Sequence, residues 1–232
     1  SGNIEITTNT INQVSDDYTA LDAGKDIKIK AEYGIGSDTQ RLNIQSDGVV
    51  NLAAGSDGLY NDVYIKGTGP NTLNIASADS TNVLDVVADG SIALSGDITV
   101  LDDVNLNAQT GISQTENKTL TSYMGDVTLN NATSGDITTG NIEADGNITL
   151  KNQATEGNIL VKNELTGGGF VYITTSGDIV QTGHISASAT NPETDASINI
   201  KSNSPSITVS IASPKIILIL LSIFLRKTKL KT

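Results

Sequence analysis

Gly125-Asp-Val-Thr-Leu129 returns 21 residues later as Gly146-Asn-Ile-Thr-Leu150, and again as Gly157-Asn-Ile-Leu-Val161. Gly2-Asn-Ile-Glu-Ile6, Gly90-Ser-Ile-Ala-Leu94, Gly96-Asp-Ile-Thr-Val100 and Gly169-Phe-Val-Tyr-Ile173 are further copies. A glycine followed by a short polar residue reads as a turn, because both tolerate positive φ. The apolar residues at alternate positions after it put two side chains on one face of a short strand. A unit of this size cannot bury its own face, so its repetition predicts a solenoid.

Weaker copies extend the pattern through Asp26-Ile-Lys-Ile29, Arg41-Leu-Asn-Ile44, Val63-Tyr-Ile65, Leu73-Asn-Ile75, Val104-Asn-Leu106 and Ile198-Asn-Ile200. The residues between the apolar positions are Asn, Thr, Lys, Asp or Tyr, so the other strand face is expected to be solvated. Related phrases recur from Val127 to Ile148, Ile137 to Ile159, Ile159 to Ile179 and Ile179 to Ile198, at 21, 22, 20 and 19 residues. Rungs of about 20 residues with two or three strands each follow, stacking like on like. With right-handed parallel connections this is a right-handed parallel β-helix, about ten rungs and about 50 Å long. No helix is expected before Lys215.

Composition agrees with such a core. Aromatic residues make up 3% of the chain, Trp and Cys are absent, and Ile, Val and Leu must fill the interior. Five of the 14 basic residues lie from Lys215 onward, and all 26 acidic residues lie before it. The first 214 residues thus carry 9 basic against 26 acidic residues, a net of −17. Such a surface repels phosphate, which excludes nucleic acid as a partner of the body. The chain divides into a repeat domain, 1–214, and a short hydrophobic and basic tail, 215–232. Ile216–Leu225 holds ten residues, about 15 Å as a helix and half of a hydrocarbon core. The tail reads as a frameshifted or truncated coding end, ahead of a hydrophobic cap and of a membrane span. Ser1, with no cap at Ser1-Gly2-Asn3, reads as an excised piece of a longer rod.

Irregular stretches at 12–19, 34–40, 55–61, 109–122 and Asn191-Pro-Glu-Thr-Asp195 break the alternation and are where binding is expected on a repetitive scaffold. Chemistry is sparse. His184, the one histidine, follows Gly183 as Asn158 and Asp178 follow their glycines, and reads as a turn residue. Nucleophile-elbow, zinc-protease and phosphate-loop motifs are missing. Gly167-Gly-Gly169 runs into Phe170 rather than into a calcium-repeat phrase, leaving Asp16, Asp17, Asp102 and Asp103 as isolated weak calcium candidates. Tyr60, Tyr64 and Tyr172 read as outward strand residues, and no set of Asp, Arg and Lys is evident on one strand face. No catalytic, cofactor or metal residue is therefore assigned, and the expectation is a protein that is not an enzyme. An ice-binding face is disfavoured because no Thr-x-Thr ladder repeats in register.

The Gly-Asp-Ile-Thr, Gly-Asn-Ile-Thr-Leu and Gly-Ser-Ile-Ala-Leu-Ser phrases resemble the repeat region of filamentous haemagglutinin-like adhesins. Gly90–Val100, Gly125–Leu150 and Gly157–Gln181 are the nearest stretches. The resemblance implies a right-handed parallel β-helix, export by two-partner secretion through an outer-membrane transporter, and attachment to host-cell or surface glycans and proteins. Asn191-Pro-Glu departs from the family's Asn-Pro-Asn secretion phrase, so the chain resembles rod rather than secretion domain. The expectation is a structural rod segment of a secreted or cell-surface bacterial adhesin. The alternative is a β-helical surface protein that binds or cleaves polysaccharide.

Overall fold

The computed structural model describes residues 2–15, 17–56, 58–188, 196–202 and 207–208. The tail at 215–232 and the Asn191–Asp195 excursion lie outside them. Among the described residues there is no helix, and the strands form two parallel hydrogen-bonded sheets of 10 and 14 strands. They stack as a β-solenoid of about 8 turns with about 23 residues per turn. The rung is longer and the turns fewer than the sequence pattern implies.

One full turn shows the plan. Ile112–Gln114 lies on a first face, Thr119–Ser122 on a second and Val127–Asn131 on a third. The next turn repeats it with Ile137–Thr139, Asn141–Ala144 and Ile148–Asn152. The second and third faces belong to one sheet because Thr81–Ala88 runs along both, pairing with Val100 at its start and with 104–108 at its end. In the first turns the second face shrinks to the bridges Ile11–Ile35 and Ile35–Val63.

Burial follows the alternation. Ile92, Ile112, Ile137, Ile159 and Ile179 pair in register down the first face, and Leu106, Leu129, Leu150 and Ile173 down the third. All of these are buried. Each buried Ile contributes about 2–3 kcal/mol of transfer free energy, and no rung holds enough of it to fold alone. The separations Val127–Ile148, Ile137–Ile159 and Ile159–Ile179 are true rung spacings. The fourth is corrected: Ile179 pairs with Ile207, whereas Ile198 pairs with Val171 on the third face. Extra residues between Ala187 and Ile198 lengthen that turn, and the short spacing to Ile198 crossed from one face to another.

The polar half of the repeated phrase is a stitch between turns. Asp103 Oδ1 accepts the N–H of Asp126 at 2.8 Å, Asp126 Oδ1 that of Asn147 at 2.7 Å, and Asn147 Oδ1 that of Phe170 at 2.8 Å. A second corner repeats the device from Asp136 to Asn158 and from Asn158 to Asp178, both at 2.8 Å. The glycines make room for it. A Cβ on Gly125, Gly146 or Gly169 would stand 2.4, 2.1 or 2.5 Å from the Oδ1 of Asp103, Asp126 or Asn147 in the turn before. None of Gly90, Gly96, Gly125, Gly146, Gly157 and Gly169 has a positive φ, so the expected backbone reason is replaced by a steric one.

Asn43, between Leu42 and Ile44, is buried against the expectation of a solvated outer face. Asn131, Asn152, Thr139, Gln114 and Gln181 are also buried, as polar residues that continue the inward alternation of their strands. Gln114 spans a corner, donating to the carbonyls of Lys118 and Asn141 at 2.8 Å and accepting from Gly140 N at 3.1 Å. Gln13, in the irregular stretch near the start, accepts the N–H of Asn43 at 2.7 Å and stands in there for a strand carbonyl.

Candidate functional site

Register brings together what the linear sequence keeps apart. Arg41, Tyr64 and Asp85 occupy one outward column on three successive turns of the third face, because Leu42 pairs with Ile65 and Ile65 with Val86. The Arg41 guanidinium lies 5.8 Å from the Tyr64 ring centroid and reaches past it to Asp85, with Nη2 2.7 Å from Oδ1. Asp62 flanks the column, accepting from the Tyr64 hydroxyl at 3.4 Å and from Asn82 Nδ2 at 2.9 Å. An Asp and an Arg thus meet on one strand face. The three residues are 23 and 21 positions apart, and only the register shows that these are single turns.

Chemically the column is closed on itself. Burial pushes the Asp85 carboxyl up, while the charge of Arg41 and then its hydrogen bonding pull it back. Burial likewise raises the Tyr64 phenol, with the charges of Asp62, Asp38 and Asp85 adding to it. A cation stacked on a ring and held by a carboxylate is a strong local clasp, and its groups are directed at one another rather than outward.

At the adjoining corner Asp102 is raised as well, first by burial and then by the charges of Asp103, Asp62 and Asp126. Elsewhere Asp97 is lowered, first by the N–H of Thr119 and then by the Lys118 side chain, and Glu5 is lowered by Lys28. The signs give a pH profile. A carboxyl raised in the fold favours folding as pH falls toward its ordinary value, and a lowered one withdraws its stabilisation only at lower pH. Melting temperature is therefore expected to hold or rise from pH 7 to about 5, helped by relief of the net negative charge, and to fall below about pH 4. Asp102→Asn is expected to raise the neutral-pH value and flatten the rise. A steady fall from pH 7 downward in thermal scans would contradict this reading.

The residues singled out from sequence are dispersed. His184 stacks on the second face above Glu164, with Nδ1 3.8 Å from its carboxylate, in the column of Asn141 and Glu164 rather than that of Asn158 and Asp178. Asp103 is engaged in the corner stitch, and Asp17 Oδ2 accepts from the Ser15 hydroxyl at 3.0 Å. Asp16 lies outside the described residues. Among the described residues no three His, Cys, Asp or Glu side chains gather as a metal ion would require. Tyr60 and Tyr172 are exposed, and Tyr172 sits 5.6 Å from Phe170, centroid to centroid. The outward second-face column reads Thr99, Thr121, Glu143, Thr166 and Ser186, a threonine file broken by Glu143. No described helix is long and apolar enough to cross a membrane.

The class these features define is a parallel β-solenoid with stitched corners. No protein-family model, curated protein or solved structure matches the chain.

Proposed function

We propose that the chain is a non-catalytic rod segment of a secreted or cell-surface bacterial adhesin, exported through an outer-membrane transporter and used for attachment. One observation carries the reading: parallel ladders run from turn to turn along the first and third faces, joined by the second beyond the first turns, and side-chain stitches join the corners. Such a body resists shear along its axis and places its outward columns at fixed heights. The closed Arg41–Tyr64–Asp85 column supports a mechanical role for these charges on the third face. The acidic, cysteine-free composition suits passage through a secretion pore as an unfolded chain.

Beads coated with the 232-residue chain are expected to adhere to cultured epithelial monolayers several-fold more than albumin-coated beads. Equal adhesion would remove the attachment role. Release of reducing sugar from pectin-like polymers would replace it with the polysaccharide-cleaving alternative.

A further inference from the structure

On the first face, the opening strands leave a trough. Two outward columns cross it: Glu5, Lys28, Asn51, Ser77, and Thr7, Lys30, Ala53, Asp79. The pairing of Val49–Ala54 with Leu73–Asp79 slips between Val50 and Asn51, so Ser77 comes opposite Asn51 and Asp79 opposite Ala53. The small Ala53 between Lys30 and Asp79 forms the floor. The resulting hollow has a volume of about 600 Å³, and a smaller one of about 330 Å³ continues it beyond Lys30 toward Thr7 and Asn9.

Its polar groups are unequal. Lys28 is held by Glu5 at 2.8 Å. Lys30 has no ion pair or hydrogen bond with any described residue. Asn51 Oδ1 accepts the Ser77 hydroxyl at 3.1 Å, which leaves the Asn51 amide N–H groups to point elsewhere. Asp79 supplies an acceptor across the floor. One free ammonium, amide donors and a facing acceptor match a pyranose that carries a carboxylate. A long polyanion does not match, because the body's net charge opposes it beyond the first contact.

We propose that this trough binds an oligosaccharide bearing uronic acid, with Lys30 receiving the sugar carboxylate and Asn51 and Asp79 its hydroxyls. The assignment goes beyond the rod reading and stands whether or not the rod mediates adhesion.

The test is calorimetric titration of the 232-residue chain with trigalacturonate and with its methyl ester, in low salt. A dissociation constant of about 0.1–1 mM is expected for the acid, as one charge contact and a few hydrogen bonds give. The ester is expected to bind about tenfold more weakly, and Lys30→Met to weaken the acid about tenfold, one decade being the scale of a single charge-assisted contact. Lys151→Met, on the third face, is expected to leave binding unchanged. Absence of binding at millimolar acid, equal affinity for acid and ester, or undiminished binding by Lys30→Met would each overturn the proposal. Should Lys30→Met fail to give the wild-type circular dichroism, amide shifts of the wild-type chain decide. Shifts at Lys30, Asn51 and Ser77 on adding trigalacturonate support the site, and shifts confined elsewhere overturn it. Failure of these tests with intact bead adhesion would leave the rod reading standing.

Discussion

Replacing Asn152 by alanine is expected to destabilise the solenoid by about 3–5 kcal/mol, a large share of the stability of an ordinary domain. Asn152 is buried at a corner of the third face, in one column with Ala108, Asn131, Thr175 and Ser202. Its Nδ2 donates to the carbonyls of Gly135 at 3.0 Å and Asn158 at 2.9 Å. Its Oδ1 accepts from Ala154 N at 3.1 Å and from Asn131 Nδ2 at 3.0 Å. Alanine removes all four bonds and leaves the Ala154 N–H without its partner, while the Gly135 and Asn158 carbonyls keep Asn131 Nδ2 and the Ile137 N–H. An unsatisfied buried N–H costs about 1–3 kcal/mol, and the other lost bonds and the new cavity add to it. Asn152→Thr should cost less, because in the next turn Thr175 closes the same corner by donating its hydroxyl to the Gly157 carbonyl. Urea unfolding of the two variants decides the matter: equal losses would mean that the corner is held by packing and not by its amide.

The fold was legible because the apolar positions carry the register themselves. Val127, Leu129, Ile148 and Leu150 alternate cleanly, and like stacks on like. The buried Asn131 is not announced by its residue type, although alternation places it inward with Val127 and Leu129. Its polarity suggested solvent, but at a corner the chain turns its carbonyls toward the interior and an amide is what they require. The glycines were recognised and their cause was not, since the atom that excludes a side chain at Gly146 belongs to Asp126, one turn away. The Arg41–Tyr64–Asp85 column and the Lys30 trough were hidden for the same reason. Both depend on which residues of separate turns are level. The trough also depends on a slip between Val50 and Asn51 that no periodicity announces.

The stitch between turns makes a sharper claim, that the glycine of one rung and the Asn or Asp of the rung before it are energetically one unit. Gly169 and Asn147 are the cleanest pair. A Cβ on Gly169 would meet Asn147 Oδ1 at 2.5 Å, while the next nearest atoms stand at 3.4 Å. The same oxygen accepts the Phe170 N–H at 2.8 Å, so moving it aside breaks the stitch. Gly169→Ala alone is therefore expected to cost about 2–3 kcal/mol, from the clash and the lost hydrogen bond together. Asn147→Ala alone is expected to cost about 1–2 kcal/mol, because its Oδ1 leaves the Phe170 N–H unsatisfied. Together the changes should cost less than their sum by about 1–2 kcal/mol, since once Asn147 is truncated the alanine at 169 has nothing to strike. Gly146→Ala offers the contrast. Its Cβ would meet Asp126 Oδ1 at 2.1 Å but also the Gly125 carbonyl oxygen at 2.8 Å, and truncating Asp126 relieves only the first. Rescue should therefore be larger at the Gly169 pair than at the Gly146 pair. Additive losses at both pairs in urea titrations would show that these glycines serve the backbone and not the neighbouring rung.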